Sequence, residues 1–163
     1  MPGKPLKPRL SQDAAIVLGL AGTAVVFASS RDDGAERWLR VMRLYGQVGH
    51  ALQALGVPEG PLETARTSPR SLTDADDDGL PSAPRIERRA TELAAQRGSP
   101  VVTTVDTLFA VLEAYGAAFE RALYRRGTTV DELLETLARH RERASGIQQS
   151  MGSAPHASRL GGG

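Results

Sequence analysis

The stretch TTVDTLFAVL, Thr103 to Leu112, follows a Gly98-Ser99-Pro100 break and opens an apolar run. Its acid, Asp106, stands three residues after Thr103. That spacing lets a carboxylate at the third helical position reach back to the backbone N–H of a capping Thr, so the stretch reads as a helix start. An earlier stretch, DGAERWLRVM from Asp33 to Met42, has the same shape. There Asp33-x-x-Glu36 takes the place of Thr103-x-x-Asp106. A helix start used twice makes the fold a question of repeats.

The surroundings of the two starts match. From Glu36 to Gly56 is 20 residues, and from Asp106 to Gly127 is 21. Each half has a long helix first, then a loop, a capped apolar helix, and a helix closed by Gly. Internal repetition at matched spacing is stronger evidence than a single motif.

The bulk composition suits this architecture. The chain has 163 residues, enough for one domain with a real core, and 40% of them are hydrophobic. Only 4% are aromatic, so the core is expected to be built from Leu, Val and Ala, which favour close-packed helices. Twenty basic residues balance 19 acids, giving a net charge of +1 and no electrostatic reason to expect nucleic acid as a partner. The absence of cysteine removes disulfides, thiol catalysis and Cys-ligated metals, and is compatible with a reducing cytoplasm.

The expected fold class is all-α, with two pseudo-repeated helical units packed as one domain over residues 10–143. Residues 1–9 are Lys- and Pro-rich and are expected to be disordered. Repeat one spans 10–57, with helices at 11–29 (capped by Ser11), about 35–44, and 47–55 closed by Gly56. Residues 58–83 carry several prolines and an acidic cluster and read as a linker. Repeat two spans 84–143, with helices at 85–96, 104–113, 116–126 and 129–143. Residues 144–163, rich in Ser, Gly and Gln, read as a disordered tail. No stretch shows convincing strand alternation; VVTTV, from Val101 to Val105, is the nearest and is short.

The pattern resembles the amino-terminal repeat domain of the Clp ATPases. That family has two helical repeats, each with a Gly-Thr-Glu-His-Leu-Leu-like helix start and a Leu-Gly-Val-like helix end. Gly34-Ala35-Glu36-Arg37-Trp38-Leu39 and Thr104-Val105-Asp106-Thr107-Leu108 occupy the starts. Ala54-Leu55-Gly56-Val57 matches the end closely and Arg126-Gly127-Thr128 loosely. The sequence departs from the family at the His after the acid, replaced by Arg37 and Thr107, and in a longer linker between repeats. The resemblance implies a non-catalytic recognition module of protein quality control. Its partners would be protein substrates or adaptors and a Clp-type AAA+ unfoldase, in the same polypeptide or as a separate chain. It further implies that the first helix of each repeat is buried between its neighbours.

In some members of the family the repeat acids, with a hydroxyl at each first-helix start, bind phosphorylated arginine. Carried over, Ser11 and Glu36 stand at those places in repeat one. Asp106 stands there in repeat two, with Ala83 where the second hydroxyl belongs. Arg37 would add polar specificity beside Glu36. The structural alternative for the acids is helix capping alone.

Ala14 to Ser30 is apolar nearly all round and follows Lys4, Lys7 and Arg9. As a membrane anchor or signal, residues 14–28 would make the chain a membrane-associated or secreted helical protein instead. The apolar run is shorter than the roughly 20 residues that span a bilayer. A buried helix therefore takes precedence, and membrane is not an expected partner. Ile16, Val17, Val25, Val26 and Phe27 cannot all face one core, so the surplus suggests self-association through this helix.

Other motifs are weaker. Asp74-x-Asp76-Asp77-Asp78-Gly79 copies the start of a calcium loop, but its twelfth position is Arg85 where a bidentate Glu is needed. A solvated acidic linker is the simpler reading. His50, His140 and His156 are too scattered for a metal site, and His50 is expected to be partly buried. There is no Gly-rich phosphate loop ending in Lys-Ser or Lys-Thr, and no nucleophile in a recognisable motif. Trp38 is expected in the core. No cofactor and no catalysis are expected.

Overall fold

The computed structural model describes residues 6–60 and 79–151. The acidic cluster Asp74–Asp78 and His156 lie outside the described residues. Within them the regular structure is helical apart from one pair of two-residue strands. A strand β1, Arg9–Leu10, leads into helix α1, Gln12–Ala24, and a 3-10 turn, Val25–Phe27. Helices α2, Arg31–Met42, and α3, Gly46–Ala54, follow. Then come α4, Ala83–Gln96, strand β2, Val101–Val102, and helices α5, Thr104–Tyr115, α6, Ala117–Arg125, and α7, Val130–Met151.

The helix ends follow local chemistry. Ser11, Ser30 and Ser82 each accept a hydrogen bond from the backbone N–H three residues on, at Ala14, Asp33 and Arg85. This satisfies one of the orphan donors of each first turn. At the other end, α3 and α6 stop in the same way. Gly56 and Gly127 have φ of 75° and 81°, a region that a side chain disfavours. The next residues, Val57 and Thr128, donate back to the carbonyls of Leu52 and Leu123. All four of those residues are buried, so each helix end is both hydrogen-bonded and packed.

The core is built mainly from Leu, Val and Ala, as composition implies, around the fully buried Trp38 and Phe119. α2 packs on α6, α4 on α5, and α3 on α7. Gly34 lets α2 approach α5 closely: a Cβ there would lie 2.9 Å from Cε1 of Tyr115. The Tyr115 hydroxyl donates to the carbonyl of Pro81, just ahead of α4.

Several boundaries differ from the sequence reading. α2 begins four residues earlier than the expected Ala35, at Arg31, because Ser30 caps it. α7 runs to Met151, through residues expected in a disordered tail. Arg141 to Ala144 are strong helix formers and carry it past the body. Arg9, expected in a disordered start, belongs to β1, which pairs in parallel with β2 through Arg9–Val101 and Leu10–Val102. α1 is buried on one side only: it packs on α2, α4 and α5 through Ala14, Val17, Leu18 and Ala21, while Leu20, and Val26 and Phe27 of the turn after it, are exposed. His50 is exposed rather than partly buried.

Candidate functional site

The short β ladder fixes the most distinctive junction of the molecule. The Ser11 N–H donates to the carbonyl of Val102 at 2.9 Å, so the starts of α1 and α5 lie side by side. α3 starts at the same place. A Cβ on Gly46, its first residue, would meet the Thr104 hydroxyl at 2.7 Å and Cβ of Asp13 at 3.2 Å. Three helix N-termini therefore converge. Each carries partial positive charge and backbone N–H groups pointing outward. Ser11 caps α1 and Thr103 precedes α5, but Tyr45 gives α3 no side-chain cap.

Asp106 belongs to this junction and is 2% exposed. One carboxylate oxygen accepts from the Thr103 N–H at 2.8 Å and from its hydroxyl at 3.1 Å. The other accepts from the Arg97 guanidinium at the end of α4. Its lone pairs are thus engaged in closing the helix start and holding α4 against it.

Glu36 and Arg37 are elsewhere. Glu36 lies in the second turn of α2, and the third helical position belongs to Asp33. One Asp33 oxygen accepts from the Ser29 N–H at 2.9 Å and the other from Arg37 Nε at 3.1 Å. Partial burial pushes the Asp33 carboxyl up, but those hydrogen bonds and the Arg37 charge outweigh it and hold the group below its usual value. Arg37 also donates to the Ala24 carbonyl, tying α2 to the end of α1. Glu36 Oε2 accepts from Nη2 of Arg126 at 2.8 Å. The Arg126 side chain is fully buried and also donates to the carbonyls of Pro58 and Gly60.

The structure thus brings Ser11 and Asp106 to one junction and places Glu36 in a buried pair with Arg126 and Arg37 in a separate, partly exposed pair with Asp33. Two signals were missed. Ser82, not Ala83, is the hydroxyl residue that caps α4. Asp33, not Glu36, stands where Asp106 stands, three residues after a Ser or Thr cap. Both were readable as Ser-x-x spacings ahead of an apolar run.

Elsewhere, a shallow groove of about 240 Å³ lies between α4 and α5, bordered by Arg85, Arg88, Arg89 and Glu113. Arg89 donates to both oxygens of Glu113, at 2.6 and 3.0 Å, and that hydrogen bonding holds the Glu113 carboxyl below its usual value. Among the described residues no group of His and carboxylates has metal-binding geometry, and no helix is long and apolar enough to cross a membrane. No protein-family model matches the sequence, and no curated protein matches it.

Proposed function

We propose that the chain is a non-catalytic recognition module of Clp-type protein unfolding and degradation, built as two copies of one helical unit. The observation that carries this reading is the paired order of caps. Ser11 and Ser82 cap the first helix of each unit, Ser30 and Thr103 the second, and Gly56 and Gly127 close the third. Ser11 to Ser82 and Gly56 to Gly127 are the same separation in sequence, 71 residues. The acids Asp33 and Asp106 hold matching places in the second helices. Such a duplication is the feature on which the resemblance to the Clp amino-terminal domain rests.

The recognition surface in this reading is the junction of α1, α3 and α5. Ser11 and Asp106 border it, and the uncapped N–H groups of α3 are available to a carboxylate, phosphate or backbone carbonyl of a protein client. In this reading Glu36, paired with the buried Arg126, and Arg37, paired with Asp33, serve the fold rather than the contact surface. The partners are protein substrates or adaptors and a Clp-type unfoldase in the cytoplasm.

Capture from native lysate on the immobilised chain, read by mass spectrometry, tests the reading. Gln47→Glu is the informative variant. Gln47 is exposed in the first turn of α3, so an acid there suits the helix while filling the junction with negative charge. Enrichment of an unfoldase, its adaptors or its clients, reduced by Gln47→Glu, is expected. Enrichment of an unrelated complex that ignores the change overturns the reading.

A further inference from the structure

We infer that the outward face of α1 is a homodimer interface, on which a second copy of the chain packs its own α1 in antiparallel orientation. This inference is independent of the recognition reading. From Ala14 to Ser30 the sequence has no ionisable residue. The core takes one side of this segment. The other presents Leu20, Val26 and Phe27 at 40%, 76% and 75% exposure.

On the open side of α1, Gln12, Gly19, Leu20 and Thr23 are exposed and Ile16 is half-buried. Gln12, Ile16, Gly19 and Thr23 follow one another at alternating steps of four and three, the spacing by which two helices keep contact along their length, and the exposed Val26 and Phe27 extend the face into the turn that follows. The middle of the seam is small. Among the described residues a Cβ on Gly19 would meet nothing within 4 Å, so a neighbouring helix can come close there. The Thr23 hydroxyl donates to the Leu20 carbonyl at 2.8 Å, so its polarity is satisfied inside the helix and its methyl is left for packing.

Charge selects the occupant. A helix lying in a membrane surface carries Lys or Arg beside its apolar face, and Ala14 to Ser30 has neither. A second α1 offers the same charge-free seam. Parallel pairing sets Asp13 against Asp13; antiparallel pairing about Gly19 separates these charges and opposes the two helix dipoles. Three exposed large apolar side chains are a patch of the size a monomer can leave open. Two such faces together fall short of a stable, standard-size interface, so the dimer is a weak, concentration-dependent one.

Sedimentation velocity on the full chain, from low micromolar to near-millimolar concentration, tests this. The wild type is expected to shift from monomer to dimer. Leu20→Glu and Phe27→Glu, both at exposed positions, are expected to stay monomeric with unchanged helical circular dichroism. The chain has no cysteine, so single thiols report orientation directly. Gly19→Cys is expected to form a disulfide-linked dimer on mild oxidation, and Gln12→Cys is not. A wild type that is monomeric throughout overturns the inference, as does dimerisation unaffected by the two Glu variants. Cross-linking of Gln12→Cys in place of Gly19→Cys overturns the antiparallel arrangement. A monomer that floats with anionic phospholipid vesicles gives the face to membrane instead.

Discussion

The buried guanidinium of Arg126 meets the Glu36 carboxylate of α2 at 2.8 Å across a separation of 90 residues. The same guanidinium holds the Pro58 and Gly60 carbonyls, so one side chain joins α2, the end of α6 and the exit from α3. The second oxygen of Glu36 is buried without a partner among the described residues. Removing Arg126 therefore leaves a buried carboxylate with no counter-charge.

Arg126→Met is expected to cost about 3 kcal/mol, because breaking a buried pair strands the other charge. Glu36→Gln, which keeps one acceptor for the guanidinium, is expected to cost less. Urea unfolding of both variants and of the double variant checks this. A double variant more stable than Arg126→Met alone is the signature of the stranded carboxylate.

Glycine positions separate by their surroundings. Gly34→Ala drives a Cβ into the Tyr115 ring and is expected to cost about 1 to 3 kcal/mol by overpacking. Gly19→Ala, in an exposed helical position with open space, is expected to gain up to about 1 kcal/mol in the monomer. Thermal unfolding at low protein concentration reads both.

The Asp33 carboxyl is held below its usual value of 3.8 in the folded chain. A depressed folded value means that the folded state binds its proton less readily than the unfolded state. The resulting stability is fully present above pH 3.8 and is lost as the pH falls through the lower folded value. Asp33→Asn is expected to flatten this acid limb. Because the Asp33 and Arg37 side chains are about a third exposed, the effect is expected to stay under about 1 kcal/mol after screening by water. Unfolding midpoints between pH 2 and pH 6, all on the order of this titration range, give the comparison.

Tyr115 supplies the opposite limb. Burial pushes its hydroxyl above the usual 10.0, against smaller lowering contributions from the Trp38 indole N–H and the Arg31 charge. A raised folded value gives stability that is complete below pH 10.0 and fades as the pH rises through the folded value. Tyr115→Phe is expected to remove that alkaline loss while giving up the hydrogen bond to Pro81. Ultraviolet titration of tyrosinate beside unfolding midpoints checks both effects.

What could be read from sequence was local. Ser11, Thr103, Gly56 and Gly127 mark helix ends through bonds spanning a few residues, and all four do so in the structure. The start of α2 was obscured by the polar run Arg31-Asp32-Asp33-Gly34. Its Gly34 reads as a loop residue but serves the contact with Tyr115. The Glu36–Arg126 pair, the β1–β2 ladder and the junction of three helix starts join distant segments, and no local spacing encodes them. Composition showed that α1 had more apolar surface than one core could take, and the structure shows which side is left open.

The most direct test of the recognition account is an ATP-dependent unfolding assay. The purified chain is added to the Clp-type unfoldase of its native source with a fluorescent client protein. The account expects a change in unfolding rate that depends on the chain and is lost with Gln47→Glu, while thermal stability is unchanged. An unfolding rate indifferent to the chain, or altered equally by wild type and Gln47→Glu, would contradict it.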